Sequence, residues 1–349
     1  PDDEARYAGR DGPHPRTDCL HGKLSRLDQR LLGAGGVGCL FRFGAAADAL
    51  ALGGRGDGGG HHRADRDDAR QLRGARRTGG DAGPRARRGD LDGDAVPAVL
   101  QPRDDEERLR ADGCLAFERV TTPPNCEYGV KGSAITIALV GDSHASHWFP
   151  AIEAVALERG WRLLTFVKVS CSFTTLVQRN LALKREYREC TAFNEATVAR
   201  LNQIKPALTI IVNRRTFRPI EENITSALAG AALGEMVARI PGATVILVDT
   251  PDPGRDVPAC LSKHPSDIRA CLFTQDAADN REIGIAERVA AEVSGALLID
   301  LTGEICAAWP CSPISESVLI YRDEDHMTET FSRSLAAPLG VEIAKLLPR

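Results

Sequence analysis

A buried strand that runs directly into a polar turn and then into a helix is the feature that most constrains this chain. Residues 135–149 read ITIALVGDSHASHWF. The first part is an apolar run with the length of a strand that is covered on both faces, as in a parallel sheet. After His144 the apolar residues recur at helical spacing, at Phe149, Ile152 and Val155. The segment predicts an α/β fold with the turn at the carboxyl edge of the sheet, where such folds place their sites.

The turn itself carries groups that could do chemistry. Gly141 permits a tight bend, and Asp142 and Ser143 follow it. Ser143 would begin the helix, where free backbone N–H groups can stabilise an anion. A serine at this position is also a common N-cap. The turn alone leaves both interpretations open.

Four more strands are predicted downstream, each separated from the next by a helix. The five predicted strands are 135–140, 161–169, 208–212, 244–249 and 296–301, and the helices are one that begins near 144, then 185–204, 227–240, 276–293 and 329–347. This alternation predicts a three-layer α/β/α sandwich with a doubly wound, mainly parallel five-stranded sheet, as in flavodoxin-like folds. Residues 104–349 are enough to bury a single core.

The amino-terminal part has a different composition. Residues 1–100 hold 20 of the 33 glycines and 16 arginines against one lysine, and they contain no isoleucine, asparagine, tryptophan or methionine. Such a segment lacks the side chains that build a core. We therefore predict that 1–103 is a low-complexity disordered linker or a reading-frame artefact. Its longest apolar piece, 31–41, is too short to span a bilayer, and no signal peptide is recognisable.

The charge of the chain argues against one class of partner. The net charge of -4 is spread along the sequence, with no basic cluster in the predicted domain. Binding to nucleic acid or to an acidic membrane surface is therefore not expected.

Eight cysteines of the predicted domain fall into four couples that are close in sequence. The couples are Cys114 with Cys126, Cys171 with Cys190, Cys260 with Cys271, and Cys306 with Cys311. This spacing favours disulfides that close surface loops in an oxidising compartment, because a zinc site would need tighter CxxC-like clusters. Sequence does not fix connectivity, so the pairing of neighbours is a hypothesis.

A base for Ser143 can be found near the carboxyl end. A serine hydroxyl needs a base to remove its proton, and that base needs a third group to hold its tautomer. His326 can be the base, and Asp323 can hold it from three residues away. The alternative is that His326 is a solvated histidine at a helix start. For His144 and His147, helix packing or exposure at a rim is favoured over catalysis.

These motifs together resemble a known family, the SGNH or GDSL hydrolases. The resemblance is closest to the SGNH domain carried by acyltransferase-3 membrane proteins of bacteria. Residues 141–144 (GDSH) are similar to the first family block, and 323–326 (DEDH) contain the DxxH block. Segments 250–254 (TPDPG), 256–260 (DVPAC) and 321–326 (YRDEDH) resemble the acyltransferase-linked subgroup. The resemblance covers roughly 110–349.

The resemblance implies a role for each matching residue. It makes Ser143 the nucleophile, His326 the base and Asp323 its orienting partner. The usual GxND block is missing, but Asn213 falls where its asparagine would lie, so an oxyanion role is carried over to it. A backbone N–H near Ser172 is a further candidate donor. Arg214 is a candidate for binding a sugar or a carboxylate, against a structural or solvated role.

The resemblance also implies a reaction. It is transfer of an O-acyl or O-acetyl group, through an acyl-serine, to a cell-envelope polysaccharide or glycolipid. The acyl group would be delivered by a membrane acyltransferase domain that this chain does not contain, at the extracytoplasmic face of the membrane. No cofactor and no metal are expected.

Three alternatives stay open. The chain could be a stand-alone carbohydrate or lipid esterase, or a catalytically inactive glycan-binding module. A metal-dependent phosphoesterase is disfavoured, because the domain has no HxH pair and few further histidines. Its ligands would come from Asp142, His144, Asp323, Asp325 and His326.

Overall fold

The computed structural model describes residues 102–215, 219–221, 223–276 and 284–347. The prediction for 1–103 lies outside the described residues except at its last two positions, so it stays a prediction.

The centre of the fold is a seven-stranded, mainly parallel sheet. Its strands are β1 (Leu115–Ala116), β2 (Glu127–Gly129), β3 (Thr136–Gly141), β4 (Arg162–Lys168), β7 (Leu208–Val212), β8 (Ala243–Leu247) and β9 (Leu297–Ile299). The order is β1-β4-β3-β7-β8-β9, and β2 pairs with β4 as the antiparallel member. Two small hairpins stand apart from this sheet: β5 (Arg179–Asn180) with β6 (Arg185–Glu186), and β10 (Ile314–Ser315) with β11 (Val318–Leu319).

The five predicted strands form the continuous run β4-β3-β7-β8-β9, which ends at the edge strand β9. The predicted fold class is therefore confirmed. The predicted number of strands was too small. The strands β1 and β2 are only two and three residues long. Segments this short show no alternation of apolar and polar residues, and their pairing depends on contact with β4.

Eight α-helices surround or follow the sheet in the described residues. They are α1 (Ser143–Arg159), α2 (Arg188–Ile204), α3 (Ser226–Val237), α4 (Val257–Lys263), α5 (Ile285–Ser294), α6 (Thr302–Ile305), α7 (Glu329–Ser334) and α8 (Ala336–Ile343). Short 3₁₀ helices cover Pro102–Asp104 and Ile268–Cys271.

Several predicted helix bounds were wrong. The predicted terminal helix is two helices that meet at Leu335. Pro338 lies in the first turn of α8, where a missing N–H costs little, whereas inside one long helix it would remove a hydrogen bond. Helix α2 begins at Arg188 because the preceding residues pair as a strand. Most of the first half of the predicted helix 276–293 lies outside the described residues.

Strand β3 supplies side chains to both layers of the core. Ile137 and Leu139 pack in the cluster that contains α1, α7 and α8, whereas Ala138 and Val140 pack in the cluster that contains α3. Residues on opposite faces of one strand therefore bury against different helices, as in a three-layer sandwich.

The four predicted disulfides are present, so the pairing of neighbouring cysteines is confirmed. The Cα atoms lie 5.9 Å apart in Cys114–Cys126 and Cys260–Cys271, 5.4 Å in Cys171–Cys190 and 5.2 Å in Cys306–Cys311. The second disulfide fixes the end of β4 to α2, and so holds the loop that contains Ser172.

Gly141 ends β3 at a point where another strand leaves no room for a side chain. Its φ is 146°, and a Cβ built there would lie 1.8 Å from the carbonyl oxygen of Val212, its partner on β7. The close approach of two backbones explains this glycine, in addition to the bend that the sequence suggested.

We expect Gly141→Ala to lower the free energy of unfolding by at least about 2 kcal/mol, because the new Cβ must push β7 away. Urea denaturation followed by circular dichroism would measure it. Gly132→Ala is the matched control, because Gly132 also has a positive φ of 77° but no atom of the described residues lies within 4 Å of its Cβ position. Equal losses in both variants would contradict the steric explanation.

Candidate active site

The structure brings Ser143 and His326 together although 183 residues separate them. Ser143 is the first residue of α1, directly after β3, and His326 lies in the loop between β11 and α7. Ser143 Oγ is 2.9 Å from His326 Nε2. That distance is a direct hydrogen bond, in which the unprotonated nitrogen can accept the serine proton.

Asp323 lies on the other side of the His326 ring. Its Oδ2 and Oδ1 atoms are 2.9 Å and 3.1 Å from His326 Nδ1. Oδ1 also accepts the backbone N–H groups of Asp325 and His326, at 3.0 Å and 2.8 Å. The backbone of the loop therefore fixes the carboxylate that accepts a hydrogen bond from Nδ1–H, which leaves Nε2 free to face Ser143.

The carboxylates around the loop control the charge of the histidine. Burial opposes protonation of His326, but the hydrogen bonds to Asp323 and Asp325 outweigh it and raise its pKa above the ordinary 6.5. Burial by itself raises the pKa of Asp323, yet the hydrogen bonds from His326 and from the backbone lower this pKa to about 2. Asp323 is therefore ionised at neutral pH.

The carboxylate of Asp142 joins the ends of three strands. It caps α1 by accepting the N–H of His144 at Oδ1, at 2.9 Å. Its Oδ2 accepts the Ser172 hydroxyl at 3.0 Å and the backbone N–H of Arg214 at 2.8 Å. Since Ser172 follows β4 and Arg214 follows β7, one buried side chain aligns both loops beside Ser143.

The candidate oxyanion groups form specific hydrogen bonds in the structure. Asn213 forms two bonds with the backbone of Phe173: its Oδ1 accepts the N–H at 2.8 Å and its Nδ2 donates to the carbonyl at 3.2 Å. The N–H of Ser172 donates to Gln178 Oε1 at 3.0 Å. The N–H groups of Ser172 and Phe173 are therefore both engaged, whereas the Asn213 amide has a second hydrogen to donate.

No role was predicted from the sequence for Asp249, and Asp325 was predicted only as a ligand of the disfavoured metal-dependent site. Asp249, just after β8, lies 2.6 Å through Oδ1 from Nδ1 of His144, and both side chains are buried. Asp325 lies 3.0 Å through Oδ1 from Nδ1 of His326. The position of Asp249 at the end of the fourth predicted strand was the available signal, because parallel strands end at one edge of the sheet.

His144 and His147 are buried, so exposure at a rim does not apply to them. Burial lowers the affinity of His144 for a proton, but Asp249 and Asp325 outweigh this and raise its pKa to about 10. The pKa of Asp249 is lowered despite burial, mainly by His144. The contacts of His144 therefore favour its protonated form at neutral pH, whereas burial keeps the pKa of His147 well below its usual value.

Among the residues that the structure describes, two sets of side chains have ligand atoms within 4.8 Å of one another, as a metal ion requires. They are His144, His147 and Asp249, and His144, Asp325 and His326. In the first set, the 2.6 Å contact between His144 and Asp249 is a direct hydrogen bond. In the second, His326 Nε2 is engaged by Ser143 and Nδ1 by Asp323. Hydrogen bonds within the site therefore engage several of these ligand atoms, whereas Nε2 of His144 and of His147 has no hydrogen-bond partner among the described residues.

The comparison with known families identifies the domain. A family described as the SGNH domain, fused to AT3 domains, matches residues 110–340. The chain belongs to this family. The matched range contains Ser143, Asp323 and His326, and the resemblance noted from the sequence is confirmed. No curated protein matches the chain.

One solved structure shares the fold of the SGNH domain, and a second is similar to a lesser extent. The periplasmic domain of a lipopolysaccharide acetyltransferase from Salmonella ser. Paratyphi A is similar at 16% identity and a TM-score of 0.50, over 61% of this chain and 85% of that one. A lipase/acylhydrolase from Enterococcus faecalis has 14% identity and a TM-score of 0.35, over 60% and 96%. Among the described residues, the SGNH domain has no helix with the length and apolarity to cross a membrane.

We expect Asp249→Asn to destabilise the SGNH domain, by about 3 kcal/mol near pH 5.5, because it leaves the buried His144 cation without its main partner. The raised pKa of His144 means that the pair stabilises fully below 6.5 and loses this effect as pH rises toward about 10. The loss should therefore be smaller near pH 9.

Urea denaturation at the two pH values would measure this difference. Glu304→Gln, which changes an exposed carboxylate of α6 in the same way, is the control. A loss from Asp249→Asn that is the same at both pH values would contradict a charged His144.

Proposed function

We propose that the SGNH domain transfers an acyl group through an ester formed on Ser143. One observation carries the proposal: a continuous hydrogen-bonded path from Ser143 Oγ through His326 to Asp323, with 2.9 Å at each step. A serine, a histidine and a carboxylate in this arrangement are the parts that nucleophilic acyl transfer needs.

In the first half-reaction, Ser143 Oγ attacks the carbonyl carbon of the acyl donor. His326 Nε2 takes the hydroxyl proton, and Asp323 accepts the Nδ1–H of the imidazolium that results. The tetrahedral intermediate collapses as the bond to the leaving group breaks, and His326 gives its proton to that group. The products are an acyl ester on Ser143 and neutral His326.

In the second half-reaction, a hydroxyl group attacks the ester. His326 takes the proton of this hydroxyl, the bond to Ser143 Oγ breaks, and the proton returns to the serine. A sugar hydroxyl gives an acylated glycan, whereas water gives the free acid. The same side chains therefore serve transfer and hydrolysis, and the acceptor that occupies the site decides between them.

The oxyanion of both intermediates needs donors that converge on it. The N–H of Ser143 lies at the amino terminus of the 17-residue helix α1, where the helix dipole favours negative charge. The second hydrogen of the Asn213 amide is a further donor in this proposal. The hydroxyl of Ser172 donates to Asp142 instead, so we assign Ser172 a supporting role.

For the substrates, we propose O-acylation or O-acetylation of a cell-envelope polysaccharide or glycolipid. The fusion of the family to AT3 domains supports a membrane acyltransferase partner as the source of the acyl group. Four disulfides support an extracytoplasmic location, as does the likeness to a periplasmic domain.

A fluorophosphonate probe should label Ser143 in the native chain, because such probes react only with an activated serine. Peptide mapping by mass spectrometry would locate the adduct. Ser143→Ala should abolish labelling, whereas Ser262→Ala, which changes a hydroxyl on α4, should leave it intact. Labelling at another serine would refute the assignment of the nucleophile.

The native chain and the Ser143→Ala variant also distinguish the candidate activities. Hydrolysis of p-nitrophenyl acetate that Ser143→Ala abolishes would show acyl-enzyme chemistry. Diversion of the acetyl group from water to an added glycan would support a transferase over an esterase. Saccharide binding that Ser143→Ala leaves unchanged, without labelling or turnover, would favour an inactive binding module and contradict the proposal.

The acidic limb of the pH profile of kcat/KM should have its midpoint above 6.5. The base must be neutral to take the serine proton, and the pKa of His326 is raised from 6.5. Activity should therefore rise with pH as His326 loses its proton and then level off above the pKa of His326. Stopped-flow or plate assays of p-nitrophenyl acetate hydrolysis across the range would measure it, and a midpoint below 6.5 would contradict the described contacts of His326.

A further inference from the structure

Asp325 occupies the centre of a network of charges beside the candidate base. Its Oδ1 lies 3.0 Å from Nδ1 of His326, and its Oδ2 lies 2.7 Å from Nη2 of Arg214. The same Oδ2 is 3.6 Å from Nε2 of His144. One buried carboxylate thus faces three groups that carry or can gain positive charge.

We propose that Asp325 is a second positioning carboxylate for His326, and that Arg214 together with the buried pair of His144 and Asp249 holds it in place. This inference rests on the proposed function, since it assigns a residue that acts through the base. Asp325 acts on the imidazole side away from Ser143, so we do not call it a catalytic residue.

The two carboxylates, Asp323 and Asp325, differ in exposure and in the groups that bind them. Asp323 is exposed by 27% and is bound by two backbone N–H groups of its own loop. Asp325 is exposed by only 10% and is bound by side chains from other elements. Asp323 therefore fixes the Nδ1 proton within the loop, whereas Asp325 ties the loop to the end of β7 and to α1.

The charged and titratable groups around His326 come from all the elements that pack against it. They are Asp323 and Asp325 from its own loop, His144 and His147 from α1 with ring centroids 5.2 Å and 6.0 Å away, Arg214 after β7, and Asp249 after β8 through His144. Two carboxylates favour the imidazolium form, and the cations His144 and Arg214 oppose it.

This balance predicts opposite effects for two substitutions. Asp325→Asn removes a negative charge that faces His326, so the pKa of His326 should fall by about one pH unit. Arg214→Gln removes a positive charge that compensates Asp325, so the pKa of His326 should rise. Loss of structure alone would not shift the two variants in opposite directions.

The direct measurement is an NMR titration of the His326 imidazole in full-length protein with labelled histidine, with His326→Gln used to assign the signal. The matched control is Glu324→Gln, which removes a charge from the exposed residue between the two aspartates. We expect a lower pKa in Asp325→Asn, a higher pKa in Arg214→Gln, and no change in the control.

The pH profile of ester hydrolysis provides a second readout. The acidic limb should move to lower pH in Asp325→Asn and to higher pH in Arg214→Gln. The plateau of kcat/KM in Asp325→Asn should fall by about tenfold, which is less than the loss of about 10³-fold or more expected for Asp323→Asn.

The outcomes separate this inference from the proposed function. An unchanged pKa of His326 in Asp325→Asn, in a protein whose Ser143 reacts with the fluorophosphonate probe, overturns the role of Asp325 alone. Shifts in the expected directions support it, even where no ester is turned over, because the titration needs no activity. If Asp325→Asn does not fold, a pKa of His326 that fails to rise in Arg214→Gln overturns the inference.

Discussion

The site depends on the hydrogen bonds that the buried carboxylate of Asp142 accepts. It caps α1 and accepts bonds from the residues that follow β4 and β7. The position of Ser143 is therefore set by the sheet as well as by its own helix. A side chain that binds three separate segments fixes their relative positions more strictly than each local turn could, and preorganised donors and nucleophiles require this.

Much of the fold could be predicted because its signals are local. Each central strand is a short apolar run followed by a helix, and this alternation is sufficient to predict the parallel sheet and its layers. The strands β1 and β2 could not be predicted, because two or three residues carry no periodicity and their pairing depends on β4. The break at Leu335 depended on how Pro338 is accommodated, which packing decides.

The site was predictable to the extent that its chemistry follows sequence motifs. Ser143, Asp323 and His326 lie in two recognisable blocks, and the structure brings them together. The partner of His144 could not be predicted from a motif. Asp249 lies 105 residues away, and an aspartate after a strand does not by itself indicate which residue it binds. Only the shared edge of the sheet makes the two side chains neighbours, so the buried charge of His144 could not be seen in the sequence.

In the proposed mechanism, the alternation of charges around His326 reconciles two demands on the base. A strong base has a high pKa, but a base that is already protonated at the working pH cannot take a proton. Two carboxylates acting on one imidazole would favour the protonated form too strongly. Arg214 and the cation of His144 oppose this by neutralising Asp325 from its other side. The pKa of His326 is therefore set by a difference between attractions and repulsions, and a single substitution in the network can shift it either way.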